Sequence, residues 1–437
     1  MNAEGSDLSP SHICCLLECC LPECCLPSLT IYRGCLPDRL LLISSLSKIP
    51  PLRYFIIIVS VLSLSCLSFI ALPRLEGDDL HINQIQVLAS HNSYHLRTDK
   101  QVLRFIKNLY HMHLLPRDLN PDELDYSHVP LTEQFDKYGI RGIELDVYYD
   151  PTGGRYYYRR TRGWVGLRSA SGIEELKKPG YKMMHIPDVD YNSTNLTFRD
   201  GLAEVKRWSD AHPTHLPLFI NVEVKEDAVG DHVPQLKKFA HALPFDSAAA
   251  DALDAEVRDI FGQDLAGVIT PDRLRGDAET LEEVILKKGW PTLADSRGKV
   301  MFIIDSHDQQ HNVYTKGHPS YRGRAMFTFT KPNTPEAAFV KLNDPVRHFT
   351  EIQQAVKKGY IIRTRCDEGA NEARSGDYGP MNLAMASWGQ ILSTDYYKPD
   401  DKAGKKGWTD YHVRFAQKGI ARIDSIAAPG RSGMVGE

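Results

Sequence analysis

Short strings along this chain bring together residue types that can work on a phosphate ester. One reads Ala89-Ser90-His91-Asn92, a second Glu144-Leu145-Asp146 and a third Asn221-Val222-Glu223-Val224-Lys225. Between the second and third lies Met183-Met184-His185-Ile186-Pro187-Asp188, an apolar pair leading into a histidine. Residues two apart on a strand share a face, so Glu144 and Asp146 point one way, as do Asn221, Glu223 and Lys225. Asn92, Glu144, Asp146 and Glu223 are all oxygen donors. Carboxylates gathered at one spot repel strongly unless something neutralises them. A hard divalent cation does so, and an all-oxygen set favours Ca²⁺ or Mg²⁺ over Zn²⁺. His91 and His185 flank the set, which suggests acid/base work on a phosphodiester. One histidine takes a proton from a nucleophilic hydroxyl and the other gives one to the leaving oxygen. The cation lowers the pKa of the hydroxyl and offsets charge on the phosphate. A plain solvated strand face is the competing explanation for any one of these acids. Their embedding in IELDVY and LFINVEV favours a polar interior cavity instead.

The elements that must position these groups alternate. Strand candidates are 83–90, 140–148, 216–224, 299–305, 324–329, 337–343, 360–365 and 390–396. Helical candidates include 198–211, 247–261, 277–288 and 346–358, the first with Leu202, Val205 and Trp208 on one face. Strands separated by helices suggest a (β/α)₈ barrel or a doubly wound sheet. No Gly-rich phosphate loop follows the first strand, which weighs against a nucleotide-binding sheet. In a barrel, chemistry sits at the C-terminal ends of the strands, where the polar strings fall. The pattern is α/β, with the barrel favoured and the doubly wound sheet still open.

Composition limits the rest. The 437 residues are 42% hydrophobic and 25% charged, a globular balance that excludes wholesale disorder. Lys+Arg number 52 against 56 Asp+Glu, so no field over the whole surface gathers nucleic acid. Cysteines crowd into the first 35 residues as doublets (ICCLLECCLPECC), a spacing unlike a zinc site, and residues 1–53 read as a low-complexity cytosolic leader. Residues 54–72 (YFIIIVSVLSLSCLSFIAL) carry no charge, and as a helix they span roughly 28 Å, close to a bilayer core. Arg39, Lys48 and Arg53 precede this run while Glu76, Asp78 and Asp79 follow, which predicts a single-pass anchor with an extracytoplasmic body at 80–437. A cleaved signal and a secreted protein is the alternative. Sequons at Asn192 and Asn195 fit an extracytoplasmic glycoprotein.

The strings LASHNSYH, GIRGIELDVYYD, MHIPD and LFINVEVK together resemble the calcium-dependent phosphoinositide-specific phospholipase C family of bacterial and fungal type. The resemblance runs on through VMFIID, GYIIRTRCDE and GQILSTDYY and covers about residues 81–425. It implies a TIM-type barrel, one Ca²⁺, and cleavage between diacylglycerol and a phosphoinositol head group. His91 then matches the first catalytic histidine and His185 the general acid, with Asn92, Glu144, Asp146 and Glu223 as calcium ligands. The implied route is attack by the inositol 2-hydroxyl, giving a cyclic inositol phosphate and diacylglycerol. All six positions are present, so an active enzyme is expected. The implied partner is phospholipid at a membrane surface, with no protein partner. No C2, EF-hand or pleckstrin-type module is visible, and the resemblance does not extend to the leader.

Lys225, Arg363 and Arg365 are candidates for touching head-group phosphate, and ordinary ion pairs are their alternative. Asp305 is expected to line the site. The string DSHDQQH, with Asp305, His307, Asp308 and His311, reads as a polar loop rather than a metal cluster, and Cys366 as a structural or free thiol. Two other functions stay open on sequence: a glycerophosphodiester phosphodiesterase, and a membrane-anchored lipid-binding protein without turnover.

Overall fold

Apolar runs rich in Ile, Val, Leu and Phe build the strands, and they are buried because both faces of each are covered. The computed structural model describes residues 75–115, 120–232, 236–405 and 407–437. The Cys-rich leader and the apolar run at 54–72 lie outside the described residues. Among the described residues no helix is long and apolar enough to cross a membrane.

The strands are β1 (Ile85–Ser90), β2 (Gly142–Tyr148), β3 (Lys182–Met183), β4 (Leu218–Lys225), β5 (Val300–Asp305) and β6 (Phe327–Thr328), followed by β7 (Phe339–Lys341), β8 (Ile361–Arg365), β9 (Ile391–Thr394), β10 (Ala421–Ile423) and β11 (Met434–Val435). Their order across the sheet is β6-β5-β4-β2-β1-β9-β8-β7, with parallel pairing throughout. A parallel bridge from Phe329 to Phe339 joins β6 to β7 and closes the ring. The result is an eight-stranded parallel barrel of TIM type, as expected. β3 pairs antiparallel with β2, and the short β10–β11 pair attaches antiparallel to the first half of β1.

Helices cover the outside. Thr197 caps Phe198–Ala211 by accepting from the backbone N–H of Asp200, and Asp246 caps Ser247–Phe261 by accepting from Ala249. Both helices fall where periodicity places them. Alternation is incomplete at one point, because irregular chain rather than a helix links β6 to β7. The expected polar loop DSHDQQH is corrected. Asp305 ends β5, and His307 caps the helix Asp308–Thr315 by accepting from the backbone N–H of Gln310.

Gly142, at the start of β2, faces Ala89 of β1. A Cβ on Gly142 would lie 2.5 Å from the Ala89 Cβ, so glycine is what lets these strands close and bring Asn92 and Glu144 to one end.

The sequon expectation is also corrected. Asn195 is buried and its Nδ2 donates to Glu204 Oε2 at 2.8 Å. Asn192 Nδ2 donates to the Arg97 carbonyl at 3.0 Å, and its Oδ1 accepts from Arg159 at 3.2 Å. Both amide nitrogens serve the packing, and a glycan on either would break these bonds.

Glu256 ties the helix Ser247–Phe261 to the segment entering β3 by accepting the Tyr181 N–H at 2.9 Å. Burial pushes its carboxyl up to about 7, despite that hydrogen bond. A carboxyl raised in the folded state contributes stability that is fully present below its unfolded pKa, about 4.5 here, and lost as pH rises through the folded value. Thermal melts of the wild type should therefore fall from pH 5 to pH 7.5, and Glu256→Gln should flatten that dependence. Parallel curves would show that Glu256 is ionised throughout.

Candidate functional site

The C-terminal ends of the strands carry a concentration of acid. In register, Glu144 of β2 lies beside Asn221 of β4, Asp146 beside Glu223, and Glu223 beside Asp305 of β5. Alternation turns these side chains to one face. Carboxylate oxygens of Glu144, Glu223 and Asp305 lie within 4.8 Å of one another. Asp146 is fully buried, and Lys225 Nζ lies 3.2 Å from its Oδ2 and 2.7 Å from Glu223 Oε1. Arg363 of β8 donates to Glu144 Oε2 at 2.5 Å, and Lys341 of β7 pairs with Asp305. A cavity of about 480 Å³ opens beside the cluster, lined in part by Glu223, Lys225, Asp305 and Lys341.

Three cations thus face four carboxylates, and the compensation is incomplete. Burial pushes the Asp146 carboxyl well above the usual range; Lys225 opposes this, while Glu223 and Glu144 add to it. Burial also works against ionisation of Glu223, but the Lys225 ammonium outweighs it and lowers that carboxyl to about 2. The Oδ1 atoms of Asp146, Asn92 and Asn221 are buried without a hydrogen-bond donor among the described residues. Buried oxygens left unpartnered beside carboxylates are the donor chemistry of a hard divalent cation. Asn92 is presented by a turn straight after β1, where its φ of 45° is a left-handed conformation that Asn tolerates. Its Nδ2 donates to Tyr126 Oη at 3.3 Å, which leaves Oδ1 as the spare ligand atom.

Each histidine has a carboxylate behind it. His91 Nδ1 lies 2.7 Å from Asp395 Oδ1, just past the end of β9, while its Nε2 is 4.0 Å from Glu144 Oε2. An ionised carboxylate only accepts, so Nδ1 carries a proton and Nε2 is the ring atom turned toward the acid cluster. Burial disfavours the charge on Asp395, but His91 and Arg365 outweigh it and hold the carboxyl well below its usual range. Arg365 Nη2 donates to Asp395 Oδ2 at 2.9 Å. His185 follows β3, and its carbonyl accepts from Tyr148 Oη at 3.1 Å. Its Nδ1 lies 2.9 Å from Asp190 Oδ2, an atom that His95 Nε2 also reaches at 2.7 Å. Burial opposes ionisation of Asp190, yet His95 and His185 lower it to about 2. His95 stacks on Tyr126 with centroids 4.3 Å apart, so one buried train runs from Asn92 through Tyr126 and His95 to Asp190 and His185.

The sequence-selected residues therefore meet at one end of the barrel, although not all in the setting expected. Arg363 and Arg365, candidates for phosphate contact, are turned to Glu144 and Asp395. Lys225 sits among the acids. Asp305 joins the acid cluster, while His307 and His311 turn elsewhere, to Glu226 and Thr328. Cys366 is a buried free thiol whose pKa burial raises well above normal, which suits a structural role. Sequence reasoning missed Asp395, Asp190, His95 and Lys341. The only local signal was a carboxylate following each histidine-bearing or strand-ending string, in HIPDVDY and STDYY.

A family model described as phosphoinositide phospholipase C, Ca²⁺-dependent, matches residues 80–425. No curated protein matches the chain. Among solved structures, the calcium-dependent phosphoinositol-specific phospholipase C of a Gram-negative Pseudomonas sp. is 15% identical, with a TM-score of 0.45, and the match covers 77% of this chain and 96% of that one. The phosphatidylinositol-specific enzyme of Streptomyces antibioticus is also 15% identical, with a TM-score of 0.42 and coverage of 73% and 95%. With the model spanning nearly all of the described barrel, the chain belongs to the Ca²⁺-dependent phosphoinositide phospholipase C family of phosphoric diester hydrolases, whose cofactor is calcium.

Proposed function

We propose that the protein cleaves phosphatidylinositol-type lipids to diacylglycerol and a cyclic inositol phosphate. The observation that carries this reading is His91, whose Nε2 is 4.0 Å from Glu144 Oε2 while Nδ1 is held by Asp395. This geometry supports reading His91 as a base of defined tautomer beside an acid cluster suited to a cation. Asn92, Glu144, Asp146 and Glu223 are the proposed calcium ligands. Calcium held there lowers the pKa of the inositol hydroxyl and offsets charge on the phosphate. His91 Nε2 takes the proton of the 2-hydroxyl as its oxygen attacks phosphorus, and Asp395 offsets the charge that the ring acquires. His185, with Asp190 behind it, gives its Nε2 proton to the diacylglycerol oxygen as the P–O bond breaks. Lys225 is the proposed contact for head-group phosphate, with Asp305 lining the cavity. Arg363 and Arg365 act at one remove, by orienting Glu144 and Asp395. The substrate lies at a membrane surface, and the run at 54–72 is the proposed anchor that holds the barrel there on the extracytoplasmic side.

His91→Ala and His185→Ala should each lower kcat by about 100- to 10,000-fold while lipid binding persists. EGTA should abolish turnover and added calcium restore it. Full activity in EGTA, or release of glycerol 3-phosphate in place of an inositol phosphate, would sink the proposal. Asp190→Asn removes the carboxylate behind His185. It should lower kcat by about tenfold or more with KM little changed, and it should move the basic limb of the pH–rate profile to lower pH. An unmoved limb would show that Asp190 only supports the loop.

A further inference from the structure

A second cavity, of about 1160 Å³, lies between the helix Gly379–Ser387, the segment 412–420 and β10. β10 pairs with Ile85–Val87, the first half of β1, whereas His91 and Asn92 follow its other end. The cavity shares no lining residue with the one beside the acid cluster. Its walls include Met381, Met385, Trp388 and Phe415, side chains that suit an apolar ligand. Its charged lining is Arg414, Lys418 and Arg422, with no carboxylate among the described residues.

Arg422 is the unusual member. Its guanidinium lies 4.2 Å from the ring centre of Trp388 and 5.8 Å from that of Phe415. One nitrogen donates to the Met385 carbonyl at 2.6 Å and to Gln86, but Nε is buried with no acceptor. Burial works against its charge and the nearby Asp424 supports it, while Asp424 Oδ1 accepts from the backbone N–H groups of Ile426 and Ala427. Trp388 holds its indole there from a left-handed backbone, φ 65°, which is strained for a bulky residue. Arg422 thus has an unpaired N–H, no ion pair with a carboxylate within 4 Å among the described residues, and an apolar wall beside it, a setting that suits an anionic head group.

We propose that this cavity binds one single-chain anionic amphiphile, its acid head on Arg422 and its aliphatic chain against the methionine and aromatic wall. The rim cations Arg414 and Lys418 favour the same charge sign. The site is separate from the catalytic mouth and does not depend on the activity proposed above.

The test is equilibrium dialysis of radiolabelled laurate against the full chain, repeated with dodecyl phosphate and dodecanol. One laurate should bind per chain, and dodecanol at least tenfold more weakly. Dodecyl phosphate binding tighter than laurate would assign the head as phosphate, and the reverse order as carboxylate; either supports the site. Arg422→Gln should weaken laurate at least tenfold. Because Arg422 also braces Gln86 and Met385, Met381→Glu provides a second arm: it places a carboxylate on a partly exposed wall and should weaken binding as much in a folded protein. His185→Ala should bind laurate like the wild type. No laurate binding, unchanged affinity in Met381→Glu, or dodecanol equal to laurate would each overturn the proposal. So would loss of laurate on adding calcium with inositol 1-phosphate.

Discussion

Four carboxylates held close together at the ends of adjacent parallel strands are the constraint around which the site is arranged. β2 and β4 run in register, so Glu144 and Asp146 necessarily meet Asn221 and Glu223, and β5 adds Asp305. Lys225 on the same strand as Glu223 relieves only part of their repulsion. Further relief comes from across the barrel, from Arg363 on β8 and Lys341 on β7. A closed barrel is what makes this work, because only closure brings β7 and β8 opposite β2 and β5. The remaining imbalance, expressed as the unpartnered Oδ1 atoms of Asp146, Asn92 and Asn221, is the property that a calcium-dependent family requires.

The histidines depend on the same closure. His91 leaves β1 but is held by a carboxylate from the end of β9, and that carboxylate is held by an arginine from β8. His185 is placed by β3, a two-residue strand added antiparallel to β2, and fixed by Asp190 together with the buried His95. In both cases an ionised group behind the ring holds a proton on Nδ1 and turns Nε2 away from it. The site is thus a set of ion pairs between strands distant in the chain, and loss of one partner leaves a buried charge uncompensated.

Much of this was legible in the residues. Alternation and apolar runs located the barrel strands to within a few residues, because a strand buried on both faces has a distinctive composition. The helices Phe198–Ala211 and Ser247–Phe261 were placed from the residue pattern, and the structure adds Thr197 and Asp246 as their caps. Period-two spacing put Glu144 with Asp146 and Asn221 with Glu223, since side-chain direction along a strand is a local property. The sequons show the opposite case. Asn192 and Asn195 match a surface motif, but whether an amide meets solvent or Glu204 depends on packing the motif does not encode.

Local chemistry thus determined the eight barrel strands, the acid-bearing faces and the two histidines, each read within a span of a few residues, while β3, β10 and β11 came only with the structure. The partners of those groups came only with the closed barrel. Asp395 stands 304 positions from His91 and Arg363 stands 219 from Glu144, and no pattern along the chain links them. The reason is that charge pairing acts through space at a few ångströms. Sequence spacing constrains that distance only within one element, and between elements the ring order and register of the strands set it.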